Sequence, residues 1–164
     1  MGMDIQEAYV QFIAIVQPLA QFLKKNITSF QDNRRVSVKH YSLGDGRATL
    51  GYIFKVQSSK ALGLFKEEIL TVDFRVESNK TYSGNYDPLK FTKLIVTVTW
   101  ALGYGRGYQN YPGGKSAKYM ADLNKILEKK LRPELQAITK EIASKLNVEK
   151  LPPIDYFGSL VKIY

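Results

Sequence analysis

Residues 48–56 read Ala48-Thr49-Leu50-Gly51-Tyr52-Ile53-Phe54-Lys55-Val56, and their alternation decides the fold. Ala48, Leu50, Tyr52, Phe54 and Val56 occupy every second position, so they share one face of an extended strand. Thr49, Ile53 and Lys55 fall on the other. Gly51 inside this run signals a bulge or a close approach of another backbone. The same period of two recurs on both sides. Val36, Val38 and His40 precede it, across a turn marked by Gly44-Asp45-Gly46. Leu70, Val72, Phe74 and Val76 follow, and then Leu94, Val96, Val98, Trp100 and Leu102. Four such runs joined by short connections predict an antiparallel meander with one buried face, its strands at 34–41, 47–57, 68–77 and 90–102.

The flanks carry a helical period. In the helix expected over 4–25, Ile5, Ala8, Phe12, Ile15, Val16, Leu19 and Leu23 fall on one half of the circumference and Gln6, Gln11, Gln17 and Gln21 on the other. Asp4 and Glu7 have the spacing of a capping box, and Pro18 predicts a kink or interruption. The second helical stretch, 116–147, carries Met120, Leu123, Leu127, Leu131, Leu135, Ile138, Ile142 and Leu146 on one stripe that keeps phase across Pro133. It reads as one kinked helix or a pair of nearly collinear ones. Residues 148–164 read as a tail, with Tyr156 to Tyr164 either a short fifth strand or a docking segment. Each helix and the sheet has one apolar face. Together they predict a single α+β domain over 1–164, a two-layer sandwich of N-terminal helix, four-stranded meander, long Pro-kinked C-terminal helix and short tail.

Composition removes whole classes of chemistry. The 164 residues contain no cysteine, so thiol nucleophiles, zinc knuckles and disulfide frameworks are excluded. His40 is the only histidine, which rules out multi-histidine metal sites and leaves it to carry any serine–histidine triad. Its place on the alternating apolar face predicts a packed core residue instead. No paired-carboxylate motif is present, and the acid that stands out is Asp73, in mid-strand near Arg75. We therefore expect no catalytic residue, no metal and no cofactor. No apolar run is long enough to span a bilayer as a helix, and the start lacks the basic opening of an export signal. An intracellular or cytoplasmic location, virion-associated in one variant, is the corresponding expectation. Asn26-Ile27-Thr28 and Asn79-Lys80-Thr81 match glycosylation sequons.

Charge carries the functional signal. The net charge is +9, and residues 90–164 hold 13 Lys/Arg against 6 Asp/Glu while residues 1–89 hold 11 against 9. No acid lies between Asp87 and Asp122. Such asymmetry points to a polyanionic partner. The loop from Gly103 to Ser116 follows a strand, opens a helix and ends Gly113-Gly114-Lys115-Ser116. It is not a nucleotidase P-loop, because Gln109 stands where that motif needs glycine and too little chain follows. Its glycines and its helix start still suit an anion. Tyr104, Tyr108 and Tyr111 offer flat surfaces for bases, with Arg106, Lys115 and Lys118 beside them. Meander topology brings this loop to the same end of the sheet as the 58–66 loop, which adds Lys60 and Lys66.

Two secondary basic surfaces accompany that end. Lys39, Lys55, Arg75 and Lys93 take outward positions on the sheet together with Tyr41, Ile53 and Phe91, while Glu67, Asp73 and Glu77 dilute the charge. Lys118, Lys125, Lys129 and Arg132 share one helix face opposite the apolar stripe. The reading that unites these features is a non-enzymatic nucleic-acid-binding protein, recognising single strands or backbone shape and acting as a homo-oligomer through any part of the long helix that runs past the sheet. Two other readings remain open: a structural or assembly protein, viral, phage or complex subunit, that meets an acidic partner, and a fold whose sheet and helix enclose an apolar ligand.

Overall fold

The computed structural model describes residues 3–27, 35–44, 48–60, 65–80, 87–100, 125–149, 154–157 and 160–163. The N-terminal stretch forms two helices, α1 (Ile5–Val16) and α2 (Leu19–Ile27). The side chain of Asp4, itself extended at φ −79° and ψ 165°, accepts the Glu7 backbone N–H at 2.8 Å and starts α1. Pro18 ends the regular ladder. It cannot donate to the preceding turn, so the chain restarts through Ala20 N–H to Gln17 O and Phe22 N–H to Pro18 O.

Strands β1 (Arg35–Leu43), β2 (Thr49–Lys60), β3 (Phe65–Ser78) and β4 (Phe91–Trp100) form the expected antiparallel meander. Three of them outrun their predicted ends, β1 reaching Leu43. β2 and β3 keep pairing to Lys60 and Phe65 after a register shift at Val56/Gln57, so Lys60 and Lys66 sit on strands and not in a loop. The C-terminal tail, expected as a short fifth strand or a docking segment, supplies two strands. β5 (Ile154–Phe157) and β6 (Leu160–Ile163) form a hairpin, and β6 pairs with β4 to complete a six-stranded sheet of order β1-β2-β3-β4-β6-β5.

Lys125 and Ile126 lead into a π turn, Leu127–Leu131, and then α3 (Arg132–Leu146), so the helix runs without a break from 125 to 146. Pro133 explains the wide turn. It has no N–H for the carbonyl four residues back, and its ring would crowd that carbonyl in a regular α-turn. The Arg132 N–H instead reaches five residues back to Leu127 O. The widening also serves the apolar stripe. Successive i+4 steps drift by about 40° each on an α-helix, and the π turn removes part of that drift. Leu127, Leu131, Leu135, Ile138, Ile142 and Leu146 are all buried as a result. Asn147, in the left-handed region at φ 54° and ψ 50°, closes α3 on Ala143 O, and Glu149 N–H ties the helix end to Phe91 O.

All three helices bury their apolar residues in one core cluster with a single face of the sheet: Leu50, Tyr52, Phe54 and Val56 on β2, Leu70, Val72, Phe74 and Val76 on β3, and Leu94, Val96 and Val98 on β4. The register explains it, since Val56 stands opposite Leu70, Phe54 opposite Val72 and Val72 opposite Val98. Phe91, expected on the outer face, is instead 4% exposed within this cluster. The pairing slips between Glu77 and Ser78, so Phe91 stands opposite Ser78 and turns inward. No helix of the described residues is long and apolar enough to cross a membrane.

Candidate functional site

The second face of the sheet contributes no residue to the core cluster. Its rows follow from the register. Lys39, Lys55, Thr71 and Thr99 stand side by side across β1 to β4. The next row is Tyr41, Ile53, Asp73 and Thr97, and then come Leu43, Gly51, Arg75 and Ile95. Thr49, Glu77 and Lys93 make the last. Lys39, Arg75 and Lys93 are exposed, and Lys55 is half-buried.

Charge varies from row to row of the sheet. At the Thr49 end, Glu77 stands directly opposite Lys93 and the signs balance. In the middle, Arg75 lies two residues from Asp73 on the same strand. Toward the other end Lys39 faces Lys55 across β1 and β2, two ammonium groups from backbones about 5 Å apart with no acid in their row. That end continues through Glu68, opposite Gln57, and Glu67, opposite Ser58, to Lys66, opposite Ser59, and Lys60, opposite Phe65, so acids and cations are mixed there. β4 ends on that side too, at Trp100 opposite Leu70. Tyr104, Arg106, Tyr108, Tyr111, Lys115 and Lys118 lie outside the described residues. On the helix, Lys125 and Lys129 are exposed. Arg132 is not a free cation, for its Nε and Nη2 donate to both carboxylate oxygens of Glu128 at 3.1 Å.

Tyr41 is 43% exposed at the edge of this face, while Ile53 beside it is only 8% exposed. Asp73 completes the row and is half-buried, and among the described residues its Oδ1 is enclosed without a hydrogen-bond partner. Burial holds the Asp73 carboxyl above its ordinary value, and the positive charge of Arg75 pulls it part of the way back. The folded protein thus keeps this proton at a pH where the unfolded chain has lost it. Stability from this group is highest below the unfolded value of about 3.9 and declines as pH rises through the folded one. Asp73→Asn should therefore raise Tm at neutral pH, with the gain shrinking toward zero near pH 3. Paired thermal melts of variant and parent across that range check it; a constant difference would contradict it.

His40 departs from the expected core position. It lies on the helix-covered side, opposite Phe54, but β1 is an edge strand and the ring is exposed. It stacks on Phe54 at 5.7 Å between centroids and 19° between planes. Its Nδ1 is 2.5 Å from the Tyr52 hydroxyl, so His40 covers the polar end of a buried tyrosine. Among the described residues, no group of three or more His, Asp or Glu is placed to hold a metal ion.

Sequence reasoning placed Tyr41, Asp73 and the cations on the outer face but missed the threonines at 71, 97 and 99 that flank Asp73. Their outward positions were readable from the alternation; that Thr97 stands directly opposite Asp73, with Thr71 and Thr99 paired in the neighbouring row, depends on register. Compared with family models, curated proteins and solved structures, the chain matches none.

Proposed function

We propose that the protein is a non-enzymatic nucleic-acid-binding protein that takes the phosphate backbone on the second face of the sheet and at the end where β2 and β4 terminate. The Lys39–Lys55 opposition carries this reading, because it sets two cationic side chains next to each other on the second face of the sheet, in a chain of net charge +9. The helix-covered face supports a binding surface over an apolar cavity: Phe12, Phe54, Phe74, Leu19 and Leu23 fill it at 0% exposure. The engagement of His40 with Tyr52 and Phe54 supports a packing role for the one imidazole.

A second reading, an assembly subunit, draws on a different surface. Gln6, Val10 and Ala14 of α1, Gln17 between the helices and Gln21 of α2 are exposed and uncharged, Val10 at 65%, with the charged Glu7 beside them and Lys24 and Lys25 beyond. On a chain of net charge +9, such a strip is where another subunit approaches without electrostatic cost.

Titration of single-stranded DNA at several salt concentrations tests the first reading. The log–log slope should be roughly −0.7 per contacted phosphate, or about −3 for four or five contacts. Lys39→Glu with Lys55→Glu should weaken binding by about 100-fold and make the slope shallower. Arg106→Glu with Lys115→Glu, measured in parallel, weighs the 103–118 segment against the sheet face. If both double variants, folded by circular dichroism, bind like the parent with the same slope, the nucleic-acid reading falls and the assembly reading stands.

A further inference from the structure

We infer that the open edge of β1 takes up an extended segment of a partner protein as a further antiparallel strand, with an acidic side chain opposite Lys39 and apolar ones opposite Tyr41 and Leu43. This goes beyond the nucleic-acid and assembly readings above, because the recognition runs through backbone N–H and C=O groups.

The sheet has two edge strands, β1 and β5. β5 is four residues long and offers few groups, whereas β1 is nine. Alternate residues of β1 turn their N–H and C=O away from β2, and such a row is a template for another strand. Proteins commonly blunt an edge with a bulge, a proline or a covering element. β1 has none of the three. Its register with β2 runs from Arg35–Ser59 to Leu43–Gly51 without a slip, while β2–β3 and β3–β4 each slip once. It contains no proline. Ser37, Lys39, His40, Tyr41, Ser42 and Leu43 are all exposed, so the backbone between them is open to a partner. Tyr41 and Leu43, 43% and 38% exposed, add apolar surface on the outer face beside that edge.

Charge selects the occupant. Lys39 is the central residue of β1 and stands opposite Lys55. A second copy pairing antiparallel along the whole strand would set Lys39 against its own counterpart, with four lysines in one row. Like charges directly opposite destabilise a strand pair, so Lys39 opposes self-association and favours a carboxylate in the same place. Every strand pair in the sheet is antiparallel. A segment added in that sense passes Leu43, then Tyr41, then Lys39, and the pattern it must carry is apolar, any, apolar, any, acidic. The intervening side chains fall beside Ser42 and His40, where small polar residues fit.

The experiment titrates the full chain with labelled peptides of about nine residues, all threonine except for valine, valine and glutamate at alternate central positions in that order. One control carries lysine in place of the glutamate. The other keeps the glutamate but has prolines at the two intervening positions, which preserves the charge and breaks the strand. The glutamate peptide should bind saturably and about tenfold or more tightly than either control. In the complex, amide exchange of alternate residues over 37–43 should slow by about tenfold or more, while the amides already paired with β2 stay unchanged. Lys39→Glu should reverse the preference in favour of the lysine peptide, a gain that misfolding does not produce. The proposal is overturned by absent binding, by equal affinity for the glutamate and lysine peptides, or by a proline control that binds like the glutamate peptide. A complex whose β1 amides exchange as in the free chain, or a glutamate preference that survives Lys39→Glu, overturns it too. Protection of the same amides on concentrating the chain alone would assign the edge to a second copy and overturn the partner proposed here.

Discussion

Gly51→Val is expected to cost about 3 kcal/mol or more, a large share of the roughly 5–15 kcal/mol that holds a domain folded. Gly51 pairs with Leu43 at the end of β1, and a Cβ built on it would lie 2.3 Å from Leu43 O and 2.9 Å from Leu43 C. These are backbone atoms, so no rotamer change relieves the clash. The β1 end cannot simply move away either. The next residue, Gly44, turns the chain at φ +116°, with space for a Cβ denied by Thr49 O at 2.8 Å. A side chain at 51 must therefore push β1 off β2. For a chain of this size the corresponding fall in Tm is about 6–12 °C. Urea unfolding should show a lower midpoint, with exchange of the β1 amides raised before global unfolding. Gly51→Ala should act in the same direction, since the clash is at Cβ. A valine variant with the parent's midpoint would mean that the two strands do not approach this closely.

Phe54→Ala is expected to cost about 3–5 kcal/mol through the cavity it leaves. The ring is wholly buried at the centre of the core. It meets Phe74 edge-on at 6.0 Å and 79°, Tyr52 at 5.0 Å, and the exposed His40 at 5.7 Å. Aromatic pairs in such arrangements add to the area they bury. Rigid strands on one side and helices on the other leave the site little room to collapse, so the cost should lie toward the upper part of that range. Phe54→Leu, which keeps most of the volume, should cost markedly less. Phe54 also separates stability from binding. It points to the helix-covered face and the paired lysines to the other, so the folded fraction of Phe54→Ala should retain the parent's salt slope with nucleic acid. Denaturant unfolding and a binding titration on the same preparation read both quantities. A loss of stability under about 1 kcal/mol would place Phe54 outside the core.

The limits of the sequence reading show in particular residues. His40 was placed on the correct face but not at its exposure, because alternation identifies a face and says nothing about which strand has an open edge. Phe91 was placed on the wrong face because an irregular pair at Glu77/Ser78 reverses the parity of everything before it, and such slips leave no trace in composition. Of the β5–β6 hairpin, the sequence showed only one short strand or a docking segment over 156–164. Its strands are four residues each, too short for a period of two to stand out, and they are held by β4 and not by their own pattern. Gly51 worked the other way. A glycine in a strong alternating run foretold the close approach that the Leu43 backbone makes.

Local periodicity alone was enough for the elements that bury the most apolar surface: the four long strands, the helix broken at Pro18 and the stripe from Leu127 to Leu146. In each, one face must leave water, and that requirement is written into every second or every third and fourth residue. Relations between elements depended on long-range pairing: the register that sets Lys39 against Lys55, the slip that buries Phe91, the row that joins Tyr41 to Asp73, and the edge that exposes His40. A pair such as Lys39 and Lys55 is 16 positions apart in the chain and about 5 Å apart in the sheet. Nothing in the intervening sequence specifies that distance until the strands have paired, so the charge was legible early and its arrangement was not.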